Sequence, residues 1–211
     1  MKQRLLPYYV HPFVWLRRIG HRRGYGVHSP FAYNFITRVV YEKTPYYKYT
    51  DLRAEEKNRA GEECADWLYE PLKVKRLLFR LVNYAHPRTI IDAGRLSASS
   101  LYLKAGCLKA CYSGTCELND LFLDKDVPVD FLYIHNYQDP AFSLVAYELC
   151  APHACETSIF VLEGIGYTPY MRMLWQNIQQ DERVGVTFDL YDLGIVFFNK
   201  KMNKQNYIVC F

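Results

Sequence analysis

Between residues 89 and 211, short apolar runs alternate with helix-length stretches, and this alternation leaves few architectures open to the chain. Residues 89–92, 110–117, 129–135 and 158–163 read as strands, and residues 97–105, 140–150 and 169–180 as helices. Strands that alternate with helices pair in parallel, and the helices cover both faces of the sheet. The pattern changes near its end. A strand over 184–191 is followed at once by a turn at Gly194 and a strand over 195–198, with 207–211 available as an edge strand. Two strands joined without a crossover helix run antiparallel. The expected fold class is therefore α/β: a mostly parallel sheet with an antiparallel end, preceded by N-terminal helices.

Residues 1–86 carry no strand pattern and read as a basic helical region, with 87–211 as the sheet domain. Gly20, Gly24 and Gly26 break any helix in the first 27 residues. Ser29-Pro30 opens a helix, Ser at the N-cap and Pro at the first helical position. Phe31, Phe35, Ile36, Val39 and Val40 follow at helical spacing, and Thr44-Pro45 closes it. A further helix over 51–69 is marked by Leu52, Cys64, Trp67 and Leu68, and Pro71 opens another that stops at His86-Pro87.

The chain's 211 residues suffice for one sizeable core. Its net charge of +4 is unevenly spread: residues 1–50 hold nine Lys/Arg and one acid, Glu42. Tyr8, Tyr9, Phe13 and Trp15 are interleaved with those cations. Such an arm either docks on its own, mildly acidic body or meets an anionic partner; nucleic acid is the alternative that basic and aromatic residues together suggest. The seven cysteines are odd in number and form no CxxC pair, so mostly buried free thiols in a reducing cytosol are expected. No apolar run approaches a membrane span. Residues 5–16 have a faint signal-peptide character, but Pro7, His11 and Pro12 interrupt them and no cleavage site follows. A cytoplasmic location without a membrane partner is expected.

Ligands of open α/β sheets bind beyond the carboxyl ends of the strands. Three such ends carry chemistry here. Asp92-Ala93-Gly94-Arg95-Leu96-Ser97-Ala98 places an acid, a glycine and small residues in a strand-to-helix turn. Glu117 ends the second strand, where an acid accepts hydrogen bonds from a ribose diol. His135 and Glu163 end the next two, as Ile134-His135-Asn136 and Leu162-Glu163-Gly164-Ile165. A hard divalent cation needs several convergent oxygens, and these ends supply one carboxylate, so no metal site is expected.

The run Arg23-Gly24-Tyr25-Gly26-Val27-His28-Ser29-Pro30-Phe31, with residues 129–135, 159–175 and 189–198, resembles a group of bacterial class I methyltransferase-like proteins dependent on S-adenosyl-L-methionine (SAM). The resemblance covers residues 20–200 and implies a Rossmann-like methyltransferase sheet. It also implies that Asp92, Gly94, Ser97 and Glu117 hold SAM, and that His135 or Glu163 orients or deprotonates a small-molecule acceptor. The chain departs from the family's pattern in several places. Ala98 stands where the family's second glycine belongs, and His135 and Glu163-Gly164 stand where related metal-dependent enzymes carry acids. Only about 13 residues separate Glu117 from Asp130, whereas a crossover unit takes about 30. The expectation is a degenerate, weakly catalytic or non-catalytic member acting through a protein partner or as a homo-oligomer. An active small-molecule O-methyltransferase is the alternative, and nucleic-acid binding by the arm a third reading. The second strand should be an edge or near-edge strand.

Overall fold

A computed structural model describes residues 6–62, 71–95, 97–118 and 127–211. The sheet has seven strands: β1 (Thr89–Ala93), β2 (Cys111–Thr115), β3 (Phe131–Ile134), β4 (Ile159–Glu163), β5 (Val186–Asp189), β6 (Leu193–Phe197) and β7 (Gln205–Ile208). Their order is β2-β1-β3-β4-β6-β5-β7. β2, β1, β3 and β4 pair in parallel; β6 is antiparallel to both β4 and β5, and β7 pairs parallel with β5. The fold class is as the alternation implied, and β2 lies at an edge of the sheet among the described residues. Residues 119–126, where a crossover unit was expected to be missing, lie outside the described residues.

Successive strand residues point to opposite faces, and each face has its own apolar layer. On one face Ile90, Phe131, Tyr133, Val161, Phe188, Ile195 and Phe197 pack with α2 (Pro30–Phe35) and α4 (Leu72–Ala85). On the other, Ile91, Leu132, Ile134, Phe160 and Leu162 pack with α6 (Pro140–Cys150) and α7 (Pro169–Gln180). A third cluster joins α3 (Lys48–Glu62) and α5 (Ser99–Gly106) to α4 through Tyr49, Leu52, Phe79, Leu101 and Tyr102.

Ser29 caps α2, accepting from the Ala32 N–H at 3.4 Å, and Phe35 and Val39 are buried while Phe31 packs against the same core. Several bounds differ from expectation. A helix, α1 (Leu6–Arg18), precedes Gly20. α2 continues as a π-helical turn, Ile36–Val40, and stops short of Thr44-Pro45. α3 begins at Lys48, and its expected markers Cys64, Trp67 and Leu68 lie outside the described residues. Gly194 is not the turn: it sits inside β6, and residues 190–192 make the reversal with Tyr191 at φ +69°. A side chain at 194 would lie 2.5 Å from the Trp175 ring, so packing demands glycine there. The edge strand β7 begins earlier, at Gln205. Of the six described free cysteines only Cys150 and Cys210 are buried; Cys111 and Cys116 are exposed, because β2 is an edge strand and Cys116 follows it.

Candidate functional site

The chain passes from β1 outward to β2, then returns across β1 to β3, so the strand order reverses between β1 and β3. That switch point is where an open α/β sheet offers a crevice. Asp92 lies in β1 at the crevice and is 2% exposed. A buried carboxylate requires partners. The Tyr112 hydroxyl, on β2, donates to Asp92 Oδ2 at 2.5 Å, and His135 Nε2 lies 2.8 Å from Oδ1. Burial, and then the Asp92 charge, push the Tyr112 phenol well above its ordinary pKa.

His135 follows β3 directly. Its backbone N–H donates to the Ala93 carbonyl at 3.0 Å, extending the β1–β3 ladder. Its ring stacks on that of Tyr133, two residues earlier on the same face, at 4.8 Å and 10°. The His135 side chain is 4% exposed. It also fills the space over Gly94: a Cβ at that position would lie 2.7 Å from two imidazole atoms. The glycine of the expected cofactor loop thus makes room for the protein's own histidine.

The other predicted residues are dispersed. Ser97 precedes α5; its carbonyl accepts from the Ser100 N–H and hydroxyl, while its own hydroxyl is buried with no hydrogen-bond partner among the described residues. Ala98 is buried in the cluster of Tyr102 and Leu101 and serves that core. Glu117 is exposed two residues beyond β2, and its main chain is tied through the Thr115 hydroxyl. Glu163 ends β4, half-buried, one position past the Ile134–Leu162 pair and so level with His135. The structure therefore brings Asp92, Gly94 and His135 together, with Glu117 exposed beyond β2.

Five side chains not expected at the site, three of them tyrosines, complete the strand ends. Tyr137 and Tyr167 meet edge to face at 5.0 Å, and Tyr167 and Tyr191 at 5.9 Å. A Cβ on Gly164 would lie 2.6 Å from Tyr137, and one on Gly166 would lie 2.2 Å from the Tyr191 ring. The Tyr167 hydroxyl donates to Asp192 Oδ1 at 3.0 Å, and Lys73 holds Oδ2 at 2.6 Å. Burial first, then the Asp192 and Glu163 charges, raise the Tyr167 phenol. The signal for this ring cluster was the heavy use of Tyr, 19 residues, which gives no positions. Across the strand ends, then, three glycines each accommodate aromatic rings of the same chain. Among the described residues no group of three metal-ligating side chains converges.

A SAM methionine end would need the backbone around Gly94 to be approachable. His135 is seated against Gly94 there and lies 2.8 Å from Asp92.

No protein-family model matches the chain, and no curated protein matches it in sequence. Solved structures do match it in fold. An O-methyltransferase from Bacillus cereus in complex with S-adenosylhomocysteine (SAH) is 13% identical, with a TM-score of 0.50 over 73% of this chain and 92% of its own. A putative O-methyltransferase from Klebsiella pneumoniae is 12% identical, with a TM-score of 0.52 over 76% and 94%. A SAH-bound methyltransferase from Podospora anserina is 11% identical, with a TM-score of 0.50 over 74% and 98%. At these identities the likeness is one of fold: the sheet is Rossmann-like, with the arrangement of these neighbours.

Proposed function

We propose that this chain is a degenerate methyltransferase-like protein: a scaffold of that fold whose cofactor crevice is closed by its own side chains, acting through a protein partner or as a homo-oligomer. One observation carries the reading. The His135 imidazole occupies the space over Gly94 at the switch point and lies 2.8 Å from the buried Asp92 carboxylate. For SAM to enter, that ring must leave, and Asp92 would then face the ligand with only Tyr112 attached. The exposed Glu117 carboxylate alone does not offset this.

The experiment is calorimetry with SAM and SAH, with and without Mg²⁺. Each loss of about 1.4 kcal/mol weakens binding tenfold, so two or three such losses carry a micromolar site to near-millimolar. A dissociation constant below about 10 μM would overturn the degenerate reading on that scale.

The Ser97 hydroxyl, buried with no hydrogen-bond partner among the described residues, favours the second reading of an active small-molecule O-methyltransferase. In that case Asp92, Gly94, Ser97 and Glu117 would contact SAM and His135 or Glu163 the acceptor. Tight binding together with methyl transfer to a phenol or catechol probe would establish it.

A further inference from the structure

Over its described side chains, from Pro12 onward, helix α1 is anchored to the body on one side and open on the other. Arg18 faces the sheet: its guanidinium donates to the Asp189 carboxylate at 2.7 Å and the Asp189 carbonyl at 3.0 Å, and lies over the Tyr191 ring. Just beyond, the Cys210 N–H donates to the His21 carbonyl. Phe13, Leu16 and Arg17 stand at i, i+3 and i+4 and share a helix face turned away from Arg18. Phe13 is 70% exposed and Leu16 64%, Ile19 and Tyr25 are exposed beyond them, and Trp15, on the Arg18 side of the helix, carries the Arg22 guanidinium 5.9 Å from its ring centre. Arg17, Arg22 and Arg23 are also exposed, and no described carboxylate pairs with them. No acid precedes Glu42 in the chain.

We propose that this surface docks on an anionic lipid bilayer. A bilayer offers hydrocarbon to Phe13, Leu16 and Ile19, the headgroup layer to Tyr25, and lipid phosphates to the three arginines. Nucleic acid offers phosphates and ring faces but no hydrocarbon for Leu16 and Ile19. A second copy would bring the same cationic segment to the interface, and residues 1–41 hold no acid to pair with it. The sequence-based expectation of no membrane partner rested on the lack of a spanning segment. No described helix is long and apolar enough to cross a membrane, and lying on the surface requires none.

The test is co-sedimentation of the full chain with vesicles of phosphatidylcholine alone and of phosphatidylcholine mixed with phosphatidylglycerol. Binding is expected only to the mixed vesicles and weakens with salt. The triple variant Arg17→Gln, Arg22→Gln, Arg23→Gln lowers the partition coefficient about a hundredfold, at roughly fivefold per arginine. Phe13→Ser with Leu16→Ser abolishes binding while leaving thermal unfolding unchanged, since neither side chain packs in the core. Absence of sedimentation with the anionic vesicles, or equal binding to both kinds, overturns the proposal. So does retention of a single- or double-stranded oligonucleotide in place of vesicles. Self-association that disappears in the Phe13/Leu16 variant, without vesicle binding, overturns it in favour of a second copy.

Discussion

A methyl group added at Gly94 would sit 2.7 Å from two atoms of the His135 ring, inside van der Waals contact. Glycine at this position is therefore coupled to histidine at 135, and a double-mutant cycle reads the coupling. Gly94→Ala overpacks the site at about 1–3 kcal/mol and also strains a backbone held at φ +154°. His135→Ala leaves the Asp92 carboxylate buried with Tyr112 alone, a loss of similar size. The double variant is expected to cost less than the sum, by about 1 kcal/mol, in urea unfolding. Additive costs would show that the backbone at φ +154°, and not the imidazole, sets the need for glycine. The sequence marked Asp92, Gly94 and His135 individually, because strand ends followed by turn residues are local patterns. Their contact is not local, since it depends on which strand returns beside β1, and no spacing encodes that. Tyr112 was missed for the same reason: its partner is on a neighbouring strand.

Helix starts were the most legible elements. Ser29-Pro30, Asp139-Pro140 and Thr168-Pro169 each pair a capping oxygen with a proline, and all three side chains accept from the N–H three residues on. The π-helical turn at Ile36–Val40 was not legible, because Arg80 sustains it from another helix, donating to the Val39 and Val40 carbonyls. Two ties between elements can be tested. Lys75 on α4 meets Glu56 on α3 in a buried ion pair, and the Tyr102 hydroxyl on α5 donates to Glu56 at 3.2 Å. Lys75→Met strands a buried carboxylate and should cost about 3–5 kcal/mol, whereas Lys75→Met with Glu56→Leu should recover most of it. Chemical denaturation of both variants decides this. At the end of α7, burial raises the Asp181 pKa, but hydrogen bonds from Arg183 and Tyr147 outweigh it and hold the carboxyl at about 2, against 3.8 unperturbed. A depressed folded-state pKa stabilises above the unfolded value and is lost as pH falls through the folded one. Asp181→Asn should therefore cost about 2 kcal/mol at neutral pH, and the gap from wild type should close between about pH 4 and pH 2. A pH-independent gap would assign the loss to packing.

At the scale of the whole molecule, the charge imbalance resolves in part by docking: the basic arm meets the body through Arg18 and Asp189, both 18% exposed. Arg18→Ala should leave thermal unfolding nearly unchanged, since the contact closes no core layer. It should still accelerate tryptic cleavage at Arg17 and Arg22 several-fold, because a detached segment opens more often. Unaltered cleavage would mean that α1 is held by other contacts. Sheet order was legible only in outline. The parallel half follows from alternating elements, while β7 pairing parallel with β5 depends on a connection whose direction no periodicity announces.

The ring over Gly94 also makes this site a lock whose key is a common reagent. His135→Gly would leave a hollow of imidazole shape, walled by Tyr133 and the Gly94 backbone, with Asp92 at its polar end. Free imidazole added to that variant should restore part of the lost stability in a saturable way, as any ligand of the folded state does. The protein's own side chain would thus become an exchangeable guest, and the closed crevice a receptor.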